Sequence, residues 1–185
     1  MSRKYKIRDQ EKLYFVTFTV INCIDVFIRN DYRDLFLKSI QFCQQHKGLE
    51  VYAWCIMTSH IHTNIGRNSI DPLQGIIRDT KSFTSRSVRK VLEDKQNKME
   101  SRREWMYWMM ERAGRKNSNN KDFQFWQQNN QPIELNTNEL IDQKLEYIHM
   151  NPVDAGFVDR PEAWLYSSAR DYIEGTKGLI DLVLI

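Results

Sequence analysis

Cysteine is scarce: Cys23, Cys43 and Cys55 are the only three in 185 residues, widely spaced and without a Cys-x-x-Cys pair. An odd, scattered set of thiols argues against a disulfide framework or a cysteine-built zinc site and predicts reduced, packed side chains. Long apolar runs are missing too. No stretch approaches the ~20 residues a membrane span requires, and the basic opening Met1-Ser2-Arg3-Lys4-Tyr5-Lys6 has no signal-type apolar segment behind it. The expected setting is the cytoplasm, with no membrane partner. Neither sign of charge dominates, since 27 Lys+Arg against 24 Asp+Glu leave a net charge of +3. No internal repeat appears, and length alone predicts one domain over 1–185, with a C-terminal extension from about residue 160.

Histidine is also sparse, four in all, yet two of them stand one residue apart in Cys55-Ile56-Met57-Thr58-Ser59-His60-Ile61-His62-Thr63-Asn64-Ile65-Gly66. On a strand, alternate side chains share a face at roughly 7 Å between Cα atoms. His60 and His62 can therefore converge on one ion while Ile61 and Ile65 enter a core. Spacing alone leaves zinc hydrolases, cupins and phosphodiester-cutting enzymes open, along with a chance pair of histidines. Neutral imidazole suits Zn, Mn, Ni or Fe, and two such ligands leave room for a third protein group and a substrate oxygen.

The rest of the chain frames this pair. Leu13 to Ile21 is β-branched and aromatic, predicting a central strand with Phe15, Thr17 and Thr19 on one face and Tyr14, Val16, Phe18 and Val20 on the other. Tyr32, Leu35, Phe36, Ile40 and Cys43 recur at helical spacing up to a glycine C-cap at Gly48. Leu49–Met57 and His60–Ile65 read as a hairpin. Asp71 as N-cap and Pro72 at the first helical position open a second helix that ends near Leu92–Asp94. Glu100–Ala113 reads as a short helix packed by its aromatics, and Gly114–Lys121 as a mobile polar loop. Phe123–Trp126 is the expected fourth strand.

The order β-α-β-β-α-β predicts an α+β fold of ferredoxin-like split βαβ type: an antiparallel sheet with helices on one face. The other face is then free for a site. An additional C-terminal helix from Asn138 to Met150 has an apolar stripe of Ile141, Leu145 and Ile148, and it presents Tyr147 and Asn151 one turn apart with Lys144 beside them. Pro161–Ser168 reads as a turn into a short helix, and Leu179–Ile185 as an apolar tail that adds an edge strand or docks on another chain. Arg78, Lys81, Arg86, Arg89 and Lys90 cluster on the second helix, and Arg115, Lys116 and Lys121 follow the third. Such clusters suit phosphates, although a solvated helix face looks the same.

Imidazoles, a helix-borne phenol, an amide and basic clusters together suggest metal-assisted attack of a phenol on a phosphodiester. The phenol's ordinary pKa of about 10 makes it a poor nucleophile near neutrality without a cation on the phosphate. A covalent protein–DNA link keeps the phosphodiester energy, so a break can be resealed. A water-using metal hydrolase and a catalytically silent nucleic-acid-binding regulator remain as alternatives, and Tyr166 is the second choice of nucleophile.

Two motifs in this order resemble those of the HUH single-tyrosine transposases, in particular the REP-associated tyrosine transposase branch of the IS200-like group. They are Met57-Thr58-Ser59-His60-Ile61-His62, with Thr58 where that family has proline, and Tyr147-Ile148-His149-Met150-Asn151-Pro152-Val153-Asp154-Ala155-Gly156-Phe157-Val158. Phe83-Thr84-Ser85 and Trp164–Ala169 fit the same pattern. The resemblance implies a ferredoxin-like nuclease that cuts single-stranded DNA near a hairpin through a 5′-phosphotyrosine. By position it implies Tyr147 as nucleophile, His60, His62 and Asn151 as ligands of Mg or Mn, and a possible homodimer.

Overall fold

The β-branched, aromatic run near the start becomes the central strand, β1 (Leu13–Thr19), of a four-stranded antiparallel sheet. The computed structural model describes residues 7–94, 96, 100–120, 122–128 and 131–185. Helix α1 (Asn30–Lys47) follows and ends at Gly48, whose φ of 62° is the left-handed conformation glycine adopts without strain. Strands β2 (Leu49–Ile56) and β3 (His60–Arg67) form the expected hairpin, and the sheet order is β2-β3-β1-β4, the ferredoxin-like arrangement.

Helix α2 spans Leu73–Glu93 and α3 spans Arg103–Arg115. The start of α2 departs from expectation: Pro72 is the capping residue, and the side chain of Gln10 accepts from the Leu73 N–H at 2.8 Å in place of Asp71. The α3 helix packs through Met106 and Met110, both fully buried, whereas Trp105 and Trp108 are half exposed. Of the aromatics expected to pack this helix, Tyr107 does so against Phe123, while the two tryptophans do not.

Phe123–Trp126 is not the fourth strand. All four of its residues are buried, with Phe125 and Trp126 packed edge-on among Phe18, Phe27 and Phe36, so neither side of the segment is left to face solvent as an edge strand's would be. Backbone bonds tie it to the end of β1 as a single bridge, Val20 to Trp126. Strand β4 is instead Ile133–Leu135, paired with Leu13–Phe15. Gly114 lets this buried segment pass, because a Cβ there would sit 2.3 Å from the Phe123 nitrogen. Gly114→Ala is therefore expected to lower stability by about 2–3 kcal/mol, in the range of an overpacked core, measured by urea unfolding.

Two cores lie on opposite faces of the sheet. Tyr14, Val16, Phe18, Ile61 and Ile65 pack under α1 and α2, while Phe15, Ala53, Cys55, Met57, Leu135 and Ile148 form the other cluster. A shift of register between Val51 and Ala53 is what puts those two residues, of equal parity, on opposite faces. The second face is not free. Helix α4 (Asn138–Asp154) lies across it, lodged by Ile148 against the small side chains Ala53 and Cys55. Thr137 caps α4 by accepting from the Leu140 N–H. The helix runs through Pro152 rather than stopping before it, since proline in the last turn removes only one backbone bond; Gly156, at φ 74°, then turns the chain away.

The C-terminal segment contributes α5 (Ala169–Glu174) and a tail that buries Ile180 and donates one backbone bond, Val183 N–H to Val51 carbonyl, along the outer side of β2. No strand forms there among the described residues.

Candidate active site

The imidazoles owe their position to a tightly held hairpin. Thr58 and Ser59, between β2 and β3, give their carbonyls to the N–H groups of Phe27 and Val20, and the Trp164 indole N–H donates to the Ile56 carbonyl. His60 and His62 then alternate with buried Ile61, so both rings emerge on the α4 face with centroids 4.7 Å apart. Antiparallel pairing sets Thr17 opposite His62, where its hydroxyl lies 2.9 Å from Nδ1; Ser59 Oγ is 3.3 Å from Nδ1 of His60. In the tautomer protonated at Nδ1, His62 donates to Thr17 and turns a bare Nε2 toward α4.

Helix α4 supplies what faces that nitrogen. The Tyr147 hydroxyl is 3.4 Å from His62 Nε2, and the ring meets that of His62 edge-on at 5.0 Å. One turn later the Asn151 side chain lies near enough to His60 to raise its pKa. Continuation of the helix through Pro152 is what keeps Asn151 on the same stripe as Tyr147. Phe15 forms the floor, stacked on His62 at 5.4 Å and edge-on to Tyr147 at 5.9 Å. The Lys144 ammonium lies over Phe15 and Tyr147, 4.9 and 5.3 Å from the ring centres.

Burial keeps the imidazoles neutral. It pushes His62 down to about 3, helped by His60 and by the Lys144 charge, and it lowers His60 against the opposing effects of the Asn151 side chain and of Asp25. His149, on the same helix, is buried too and lies 2.8 Å from Ser168 Oγ; burial holds it at about 4. It ties α4 to the start of α5 and does not face the pair.

These shifts set an acid limit on the fold. A histidine whose pKa is depressed in the folded state stabilises fully above the ordinary value near 6.5, and that contribution is lost as pH falls from there toward the folded pKa. The unfolded chain takes up protons that His62 and His149 refuse until about pH 3 and 4. At pH 5 the expected loss is about 2 kcal/mol for each imidazole. Thermal unfolding followed from pH 7 to 5 should show a steadily falling midpoint, with a shallower fall in His149→Gln.

The pair thus meets Tyr147 and Asn151, all four predicted from the sequence. The basic residues lie elsewhere. Arg78, Lys81, Arg86, Arg89 and Lys90 are on α2, which packs against the opposite face of the sheet. Arg89 is forked onto Asp122 and also bound to Glu93, Arg78 pairs with Asp79, and Arg115 pairs with Glu111. Burial lowers Lys81 to about 8, and its ammonium donates to the Gln127 carbonyl. Arg78, Lys81 and Arg86 line a groove of about 550 Å³ between α2 and the 119–128 segment. Arg86, Lys90 and Lys116 are exposed, and Lys121 lies outside the described residues. Tyr166 is buried beside α1, donating to Asp34.

Sequence reasoning missed Thr17 and Phe15 as members of the site. Strand alternation had placed both on one face, but which residues they meet depends on the register with β3 and on α4.

The family model for IS200-like transposases matches residues 11–118, more than half of the chain and including both histidines of the pair. The chain belongs to the IS200-like transposase family. In this family member the match ends before α4, so Tyr147 and Asn151 are tied to the site by geometry. A solved structure of a REP-associated tyrosine transposase bound to a REP hairpin matches over 99% of this chain and 92% of that one, with a TM-score of 0.67 and 16% identity. At that identity the likeness concerns the fold, α4 included. No curated protein sequence gives a significant match. No helix among the described residues of this transposase-family chain is long and apolar enough to cross a membrane.

Proposed function

We propose that the protein nicks and rejoins single-stranded DNA beside a hairpin, with Tyr147 as nucleophile, through a 5′-phosphotyrosine and a free 3′-hydroxyl. The observation that carries this reading is the 3.4 Å approach of the Tyr147 hydroxyl to His62 within one chain. Tyrosine and imidazoles come from the same molecule, so a site formed in cis needs no second copy. Membership of the transposase family supplies the class of reaction, and the hairpin seen in the solved relative suggests the substrate.

The donor set fits a divalent ion. His60 and His62 are neutral near pH 7, the bare Nε2 of His62 faces α4, and the Asn151 side chain, already at His60, offers an amide oxygen. Among the described residues no carboxylate joins the pair to make a group of three acidic, thiol or imidazole ligands, which leaves Asn151 as the third. Two nitrogen donors suit Mn, with Mg as the other candidate. Such an ion would polarise the phosphate and stabilise the charge that develops on its oxygens.

The residues do the rest. Phe15 and the His62 ring hold the phenol at the sheet surface, and α4 orients its oxygen toward the pair. The tyrosyl oxygen bonds to phosphorus, the bond from phosphorus to the 3′-oxygen breaks, and the proton lost by the phenol is balanced by one gained at the 3′-hydroxyl. Reversal by a second 3′-hydroxyl reseals the strand and frees Tyr147.

The test is a denaturing gel of protein incubated with end-labelled single-stranded hairpin DNA and Mn. A label that moves with the protein supports the proposal. Released product without an adduct supports water as nucleophile, and a native-gel shift without cleavage supports a silent binding protein.

A further inference from the structure

Among the described residues Lys144 is the cation that lies on the aromatic rings of the site, three residues before Tyr147 on α4. The residue is half-buried, its ammonium lies over the faces of Phe15 and Tyr147, and among the described residues it forms no ion pair. Its neighbours at the site are the rings of Phe15 and Tyr147, with the His62 imidazole near enough to feel its charge. The ring faces of Phe15 and Tyr147 attract the ammonium without neutralising its charge. Its charge contributes to the depression of His62. A positively biased cluster without a carboxylate on the ammonium is complementary to an anion, and the chemistry proposed above brings one, the phosphodiester.

We propose that Lys144 is a catalytic residue that grips a non-bridging oxygen of the scissile phosphate from the helix side while the imidazoles address it from the sheet side. This rests on the nicking chemistry assigned to Tyr147. As the tyrosyl oxygen bonds to phosphorus and the 3′-oxygen departs, negative charge grows on the non-bridging oxygens, and a preplaced ammonium stabilises that charge more in the transition state than in the bound substrate. No proton moves to or from Lys144 in the step. Lysine's ammonium can approach along several directions, so arginine should replace it in part.

The test uses the full chain, Mn and two hairpin DNAs, one natural and one with an uncharged methylphosphonate at the scissile position. Lys144→Met keeps the apolar stem and removes the charge. On natural DNA its single-turnover rate of adduct formation is expected to fall about 10²-fold, and that of Lys144→Arg by less than about 10-fold, with hairpin affinity changed less than about threefold. On the methylphosphonate the gap between wild type and Lys144→Met should shrink to less than about threefold, since the charge being gripped is gone. Thermal unfolding of the variant checks that the fold is intact. A wild-type rate in Lys144→Met, or an undiminished gap on the methylphosphonate, overturns the assignment. Absence of any adduct from the wild type on natural DNA overturns the nicking chemistry itself and this assignment with it.

Discussion

Tyr147→Phe is expected to abolish the covalent protein–DNA adduct, with a loss of at least about 10⁴-fold, while hairpin binding stays within a few-fold of wild type. The change removes one oxygen from a half-exposed ring. The edge-on contacts with Phe15 and His62 do not need that oxygen, so α4 should stay in place and the melting temperature should hardly move. Among the described residues no second phenol touches His62, and Tyr166, donating to Asp34 beside α1, is poorly placed to substitute. The measurement is single-turnover adduct formation on denaturing gels beside affinity from a native gel. An adduct persisting in Tyr147→Phe sinks the assignment of the nucleophile. The substitution also removes the hydroxyl that contends for His62 Nε2, so Mn affinity should be equal to or tighter than that of the wild type.

His62→Ala carries the second large effect. His62 sits at the centre of the site, touching Thr17, Phe15, His60 and Tyr147, and its Nε2 is the nitrogen proposed to hold a cation. Losing it should weaken Mn binding and slow adduct formation on the order of 10³-fold, the several kcal/mol that charge stabilisation by a bound cation supplies. Calorimetric titration with Mn separates this from loss of the nucleophile, because Tyr147→Phe is expected to bind the metal and His62→Ala is not. Truncation removes a buried neutral imidazole as well. The acid sensitivity of the fold should therefore lessen in His62→Ala even as the packing loss lowers stability near pH 7. Unchanged Mn affinity in this variant would mean that the imidazole pair holds no ion.

The salient parts of this site were readable because they obey local periodicity. Period two put His60 and His62 on one face and Ile61 on the other, and period 3.6 put Asn151 one turn after Tyr147. Both rules act within a single element, whatever surrounds it. The errors came where neighbours decide. Phe123–Trp126 has a strand's composition, yet it lies buried on all sides, and the shorter Ile133–Leu135 took the open side of β1. The helix-stopping reading of Asn151-Pro152 failed because a proline in the last turn costs only one backbone bond. The tryptophans of α3 turned outward because Met106 and Met110 already fill the space beneath.

Sequence by itself determined the split βαβ order, the strand carrying the imidazoles and the helix carrying the phenol, since each follows from alternation or helical spacing within a few adjacent residues. Only the tertiary structure decided that α4 crosses the sheet face the imidazoles occupy, that Thr17 stands opposite His62, and that Lys144 comes to rest on Phe15 and Tyr147. Apart from the Lys144–Tyr147 contact within α4, those are contacts between segments distant in sequence or set by strand register, and they depend on which apolar surfaces fit together once the sheet has formed.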